Sequence, residues 1–236
     1  GGGVVRVEAS GVITVDGAVA ADAAFVYNDL AGGSAGGSVF LTADTFGGST
    51  NGRITARGST SLTTPLYEGA GAGGRVAIVY SNLAPVRAVR FSVAPGQGSW
   101  PDVGDRDNRR WFSPERGSLA LSDTRLLSSV LDGSFADAAF LYILDTNVWA
   151  VDQLTVTNCA LAFASDGFKV QVSNNLVVGT GARFGVGRDE AGTGYALEVG
   201  GNLLVTNGGV LTVYGGTTNG AADAWGARVA VTGDLV

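Results

Sequence analysis

Apolar and polar positions alternate with a period of two along most of this chain. Ile13 and Val15 fall on one face and Val12 and Thr14 on the other. Ile54 shares a face with Ala56, and Val210, Thr212 and Tyr214 oppose Leu211 and Val213. Short strings of this kind, bounded by Gly, Asn and Asp, predict strands that end in turns. The best helical stretch, Leu119 to Leu131, is interrupted by Ser122, Asp123, Thr124, Ser128 and Ser129, and its apolar residues fit two short strands equally well. The pattern therefore predicts an all-β chain.

The strands recur. Lys169-Val170-Gln171-Val172-Ser173-Asn174-Asn175-Leu176-Val177-Val178 aligns with Ala196-Leu197-Glu198-Val199-Gly200-Gly201-Asn202-Leu203-Leu204-Val205 at an offset of 27 residues, which also pairs Gly181 with Gly208 and Val186 with Val213. A third copy, Arg228 to Leu235, lies 32 residues beyond the second. Nearer the N-terminus, Val4-Val5-Arg6-Val7 returns as Val39-Phe40-Leu41-Thr42 and Val76-Ala77-Ile78-Val79, at separations of 35 and 37. Each of the last two copies follows a glycine-rich lead, residues 32–37 and 69–74, which reads as a low-complexity corner or a protruding loop. Strands this short cannot each bury a face alone, but stacked on equivalent strands they can, which points to a solenoid of parallel sheets. A closed antiparallel sandwich or barrel is the alternative. The variable spacing favours the solenoid, where an insertion leaves a rung as an outward loop. Asn175 and Asn202, at matching positions, predict a corner ladder in which side-chain amides bond rung to rung.

Between about Ala84 and Asn147 the glycine-rich repeats lapse. This stretch holds four of the five prolines, together with Trp100 and Trp111, and Trp149 follows just beyond it. It is either an insertion between two solenoid halves or a set of irregular rungs with protruding loops. The expected organisation is residues 1–83 as N-terminal rungs, 84–147 as the irregular part and 148–236 as C-terminal rungs.

Composition narrows the chemistry. Histidine is absent, which excludes Ser-His-Asp and Cys-His nucleophile systems and imidazole zinc sites. Cys159 is the only cysteine, so no internal disulfide or cysteine-built metal site can form. With 15 basic against 21 acidic residues and a single lysine, Lys169, the chain is a poor partner for nucleic acid or an anionic membrane. No apolar run is long enough for a membrane-spanning helix. Thirty-eight glycines and a charged fraction of 15% suit a secreted or surface-displayed protein. The chain opens Gly1-Gly2-Gly3 directly onto Val4 and closes at Val236 within an alternating pattern, so further rungs or domains of the same polypeptide are expected beyond it.

Three segments carry a resemblance. They are Gly36-Gly37-Ser38-Val39-Phe40-Leu41-Thr42-Ala43, then Gly52-Arg53-Ile54-Thr55-Ala56-Arg57-Gly58, then Gly73-Gly74-Arg75-Val76-Ala77-Ile78-Val79-Tyr80. Together they resemble glycine-rich bacterial surface and secreted proteins. The run Gly200 to Val213 is similar to the repeats of adhesin and autotransporter passenger domains. The resemblance covers residues 1–83 and 150–236. It implies a right-handed parallel β-helix with an irregular insertion near residues 84–147, and an extracellular or cell-surface structural or adhesive role, with glycans or surface proteins as partners. Folds of this kind also carry polysaccharide lyases, glycoside hydrolases and non-catalytic glycan-binding modules, which are the alternatives.

Candidate site residues concentrate in the irregular part. Asp102, Asp105 and Asp107 form the densest group of oxygen ligands and could supply three carboxylates to calcium, although Arg106, Arg109 and Arg110 offer them ion pairs instead. Trp100, Trp111 and Phe112 could form a shelf for sugar rings, with Arg109 or Arg110 bonding hydroxyls or an acidic sugar; packing of the insert is the other reading. Asp189 and Glu190 are adjacent carboxylates in an outward connection, read as a solvated loop tip before a general acid. Cys159, between strand-like strings, reads as a small core residue. The glycine runs lack the Gly-x-x-x-x-Gly-Lys-Ser/Thr pattern of a phosphate loop. No catalytic residue or cofactor is assigned.

Overall fold

The structure, a computed structural model, describes residues 1–24, 33–60, 70–96, 114–137, 139–187, 195–215 and 227–236. It divides into two units, Gly1–Leu119 and Ala120–Val236. Among the described residues the chain is almost entirely β-strand, and every register that can be assigned is parallel.

In the first unit the strands are β1 (Val4–Thr14), β2 (Ala18–Ala20), β3 (Ser38–Gly48), β4 (Arg53–Thr55), β5 (Arg75–Arg87) and β6 (Arg90–Ser92), with β7 (Gly117–Leu121) at its end. They alternate between two sheets, ordered β1-β3-β5-β7 and β2-β4-β6. Successive strands in the chain therefore wind from one sheet to the other and return one step along the stack. Val5, Val39 and Val76 lie in one column, and Val7, Leu41 and Ile78 in the next. These columns point inward: Val39, Leu41, Val76 and Ile78 are buried, and Phe46 stacks near Tyr80 with ring centroids 6.2 Å apart.

The first repeat is thus one residue out of the alignment expected from sequence, since Val5, not Val4, sits against Val39. A one-residue slip in a strand exchanges its two faces. The expected alignment would have turned Arg6 to the interior and Val5 to water.

The glycine leads also differ from expectation. A Cβ at Gly37 would collide with the Gly3 carbonyl, and one at Gly74 with the Gly37 carbonyl. Gly37 donates to the Ala21 carbonyl and Gly74 to the Ala56 carbonyl, at 2.8 and 2.7 Å. These glycines are interior contacts between backbones, where no side chain fits.

The second unit winds through three sheets. Its strands are β8 (Val130–Asp132), β9 (Ala136–Asp137), β10 (Ala139–Ile143), β11 (Val148–Val151), β12 (Leu154–Thr157), β13 (Ala160–Phe163) and β14 (Lys169–Val172). They continue as β15 (Leu176–Val178), β16 (Arg183–Val186), β17 (Tyr195–Val199), β18 (Leu203–Val205), β19 (Val210–Val213) and β20 (Arg228–Val231). Three orders follow: β10-β13-β16-β19, β11-β14-β17-β20 and β8-β12-β15-β18. Val170 pairs with Leu197 and Leu197 with Val229, as the offsets of 27 and 32 require. Among the described residues the interior is apolar apart from Ser122. Phe163 stacks on Phe168 at 4.7 Å, lies 5.7 Å from Trp149 and meets Phe184 edge-on at 6.1 Å.

Strands recur within the described parts of the stretch 84–147, among them β6, β7, β8 and β10. β6 pairs in register with β4, and β10 with β13, so these segments are rungs of the same stacks. Leu119 to Leu131 forms the end of β7, a 3₁₀ turn at Thr124–Leu126 capped by the Asp123 carboxylate, and the start of β8.

Candidate functional site

On the sheet β11-β14-β17-β20, strict alternation sends Trp149, Val170, Leu197 and Val229 inward or toward the interior and leaves Ala150, Gln171, Glu198 and Ala230 as one outward column. The small alanines at both ends of this column leave room around the two long polar residues at its centre. The result is an open groove with a cavity volume of about 490 Å³, lined by Gln171, Ser173, Tyr195, Glu198, Thr232 and the two alanines among others. That size falls within the range of small-ligand pockets.

The groove floor is a hydrogen-bonded cluster. Lys169, the lone lysine, donates from Nζ to Glu198 Oε1 at 3.0 Å, and Gln171 donates from Nε2 to Oε2 at 2.8 Å. The Gln171 bond first, and then the Lys169 ammonium, hold the Glu198 carboxyl below its ordinary value despite some opposing desolvation. One turn of alternation back, the Arg228 guanidinium lies over the Tyr195 ring, 5.7 Å from its centroid. Among the described residues no carboxylate forms an ion pair with Arg228.

This chemistry suits binding. Among the described residues Glu198 is the only carboxylate lining the groove, it favours the ionised state, and both its oxygens already accept hydrogen bonds. A glycoside hydrolase needs two carboxyl groups in paired roles, one of them protonated. Glu198 is an acceptor and positioning group here, with Lys169 and Gln171 as its fixed donors.

Next to the groove runs the corner between the β14 and β15 layers. The expected asparagine ladder is present. Asn175 Oδ1 accepts the backbone N–H of Asn202, and Asn202 Oδ1 accepts that of Asp234, each at 2.8 Å. The side-chain amide of one rung thus bonds to the main chain of the next. A side-chain to side-chain bond occurs one residue earlier, from Asn174 Nδ2 to Asp152 Oδ1 at 2.7 Å.

Trp100, Asp102, Asp105, Asp107, Arg109, Arg110 and Trp111 all lie outside the described residues, as do Asp189 and Glu190. Among the described residues no group of three or more His, Cys, Asp or Glu side chains is placed to hold a metal ion. Trp149 is a core residue, 5% exposed. Cys159 is buried, donates from Sγ to the Leu131 carbonyl at 3.7 Å, and has its thiol pushed up to about 11 by burial, with the charges of Asp132 and Asp137 adding to the effect. It is a packing residue.

Lys169, Gln171, Glu198, Tyr195 and Arg228 were not singled out from sequence. The signal was nonetheless present: the 27-residue alignment places Gln171 against Glu198, and a shared column of two long polar side chains in a charge-poor chain marks an outward face. No helix among the described residues is long and apolar enough to cross a membrane. No family model, curated protein or solved structure matches the chain.

Proposed function

We propose that this chain is a structural and adhesive right-handed parallel β-helix of an extracellular or bacterial cell-surface protein. One observation carries the reading. Equivalent residues such as Val170, Leu197 and Val229 lie in register over one another, while the corner side chains of Asn175 and Asn202 tie each rung to the next. Such a lattice is stiff because each rung is bonded along its whole course to its neighbours, and it presents flat side faces to partners. The handedness follows the rule for parallel strands joined by crossover connections, about 98% of which are right-handed. The glycine contacts at Gly37 and Gly74 and the low charge agree with a chain built for dense stacking.

The test is adhesion. The chain, displayed on a non-adherent bacterial host, is expected to increase retention on glycan-coated or cell-coated surfaces under flow relative to the undecorated host. Unchanged retention, together with release of reducing ends or unsaturated uronate from polysaccharide mixtures, would replace the adhesive reading with an enzymatic one.

A further inference from the structure

We propose that the groove over β14, β17 and β20 is a binding site for a carboxylate-bearing saccharide. This rests on the adhesive reading and deepens it by naming the ligand class of one face. Four observations converge on that class.

The charge comes first. Glu198 is compensated by Lys169 and Gln171, whereas Arg228 has no carboxylate partner among the described residues. Arg228 stands beside the groove, over the ring of its lining residue Tyr195, and at that rim offers an anion one guanidinium, whose planar fork matches a carboxylate in two parallel bonds. Spacing comes next. Arg228 lies two residues from Ala230, the neighbour of Glu198 in its column, a separation of roughly 6.6 Å along the strand at about 3.3 Å per residue. An acidic group on Arg228 thus leaves the rest of a sugar ring to extend toward the Lys169–Gln171–Glu198 cluster.

The remaining lining suits hydroxyls and C–H faces. Gln171 keeps its carbonyl oxygen for a ligand, Ser173 and Thr232 add hydroxyls, and Tyr195 is 43% exposed with an aromatic ring at the groove mouth. Finally, the backbone narrows the competitors. β14 and β17 are each paired on both sides, so an acidic peptide cannot add a strand over Gln171 or Glu198 and meets a free edge in the groove only at β20.

Isothermal titration of the whole chain against three probes tests this. The probes are a β-1,4-linked glucuronate trisaccharide, the β-1,4-linked glucose trisaccharide of the same backbone, and triglutamate. Binding of the glucuronate probe is expected, with at least tenfold weaker binding of the other two. Arg228→Gln and Tyr195→Ala should each weaken the glucuronate probe tenfold or more. Arg53→Gln should leave it unchanged; Arg53 and Arg90 form a separate exposed pair of neighbouring arginines in the first unit. In the unaltered protein, NMR shifts on titration should centre on the Gln171 side-chain amide and on Ser173 and Thr232, a readout that needs no variant to fold. Absence of binding, equal binding of the glucose trisaccharide or of triglutamate, an unaffected Arg228→Gln, or shifts centred elsewhere would each overturn the proposal. None of these outcomes bears on stacking, and retention of the displayed chain on cell-coated surfaces is measured separately, so loss of this site and loss of adhesion are distinguishable.

Discussion

Replacing Phe163 with alanine should strike the second unit at its centre. The ring is 1% exposed and touches three others, stacked on Phe168 at 4.7 Å, tilted on Trp149 at 5.7 Å and edge-on to Phe184 at 6.1 Å. Truncating a buried phenylalanine costs about 3–5 kcal/mol, and the aromatic geometry places this site in the upper part of that range. The stack leaves little freedom for collapse, because Phe184 sits on a neighbouring strand whose register is fixed by backbone bonds on both sides. For a chain of this length each kcal/mol lowers Tm by about 2–4 °C, so a loss of about 4 kcal/mol corresponds to ~8–16 °C. Thermal unfolding followed by circular dichroism measures the shift. Val210→Ala, on a residue 44% exposed, is the control and should stay within about 0.5 kcal/mol. Hydrogen exchange should show protection lost first in β10, β13 and β16, because a stacked array passes a defect mainly to its nearest rungs. A Phe163→Ala shift no larger than that of Val210→Ala would refute the interior stack as the element holding these rungs together.

Four further outcomes are expected. Gly74→Ala should destabilise by about 1–3 kcal/mol or more, since its Cβ meets the Gly36 carbonyl carbon at 2.7 Å, whereas Gly17→Ala, with open space around it, should be close to neutral in the same denaturant titration. Asn202→Ala should cost about 1 kcal/mol and speed exchange of the Asp234 amide, while Asn202→Asp, which keeps an acceptor, should preserve most of both. The lowered Glu198 carboxyl stabilises the fold above the ordinary glutamate value of 4.5 and loses that contribution as pH falls through its folded value, so Glu198→Gln should flatten the acid limb of a Tm-against-pH curve and leave the neutral region less changed. With its thiol at about 11, Cys159 should resist a thiol-reactive dye at pH 8 in the folded protein and react at once in denaturant; fast reaction in the folded state would contradict its burial.

The repeats from Lys169 to Leu235 were legible almost to the residue. Their offsets place Val170, Leu197 and Val229 in one column because each copy keeps the same spacing from strand through Asn corner to the next strand. The first unit was harder, since Val4-Val5-Arg6-Val7 offers two apolar residues in a row and either can open the alternation. Only the inward column through Val39 and Val76 decides between them. The glycine leads were read as corners or protruding loops; they are connections between the two sheets, but composition could not show that they are small because another backbone occupies the space. The groove was missed for a similar reason. Its residues come from strands β11, β14, β17 and β20, one to three from each, and from the positions that follow them, and no local motif joins them.

The rungs of the second unit differ in length at one corner above all. The connections that enter β11, β14, β17 and β20 run from Ile143 to Val148, from Phe163 to Lys169, from Val186 to Tyr195 and from Val213 to Arg228, lengthening at every step while the strand register beyond them is kept. Apart from Phe168, which is buried against Phe163, the stack keeps its register whatever the length of the connection. Each doubling of a loop costs only about 0.6 kcal/mol, so mutation can add or delete sequence at that edge cheaply, and each change arrives in the chain just before Lys169, Tyr195 or Arg228. Recognition and architecture are thus free to evolve at separate rates in one chain, and the same edge offers a natural position for grafting a foreign peptide.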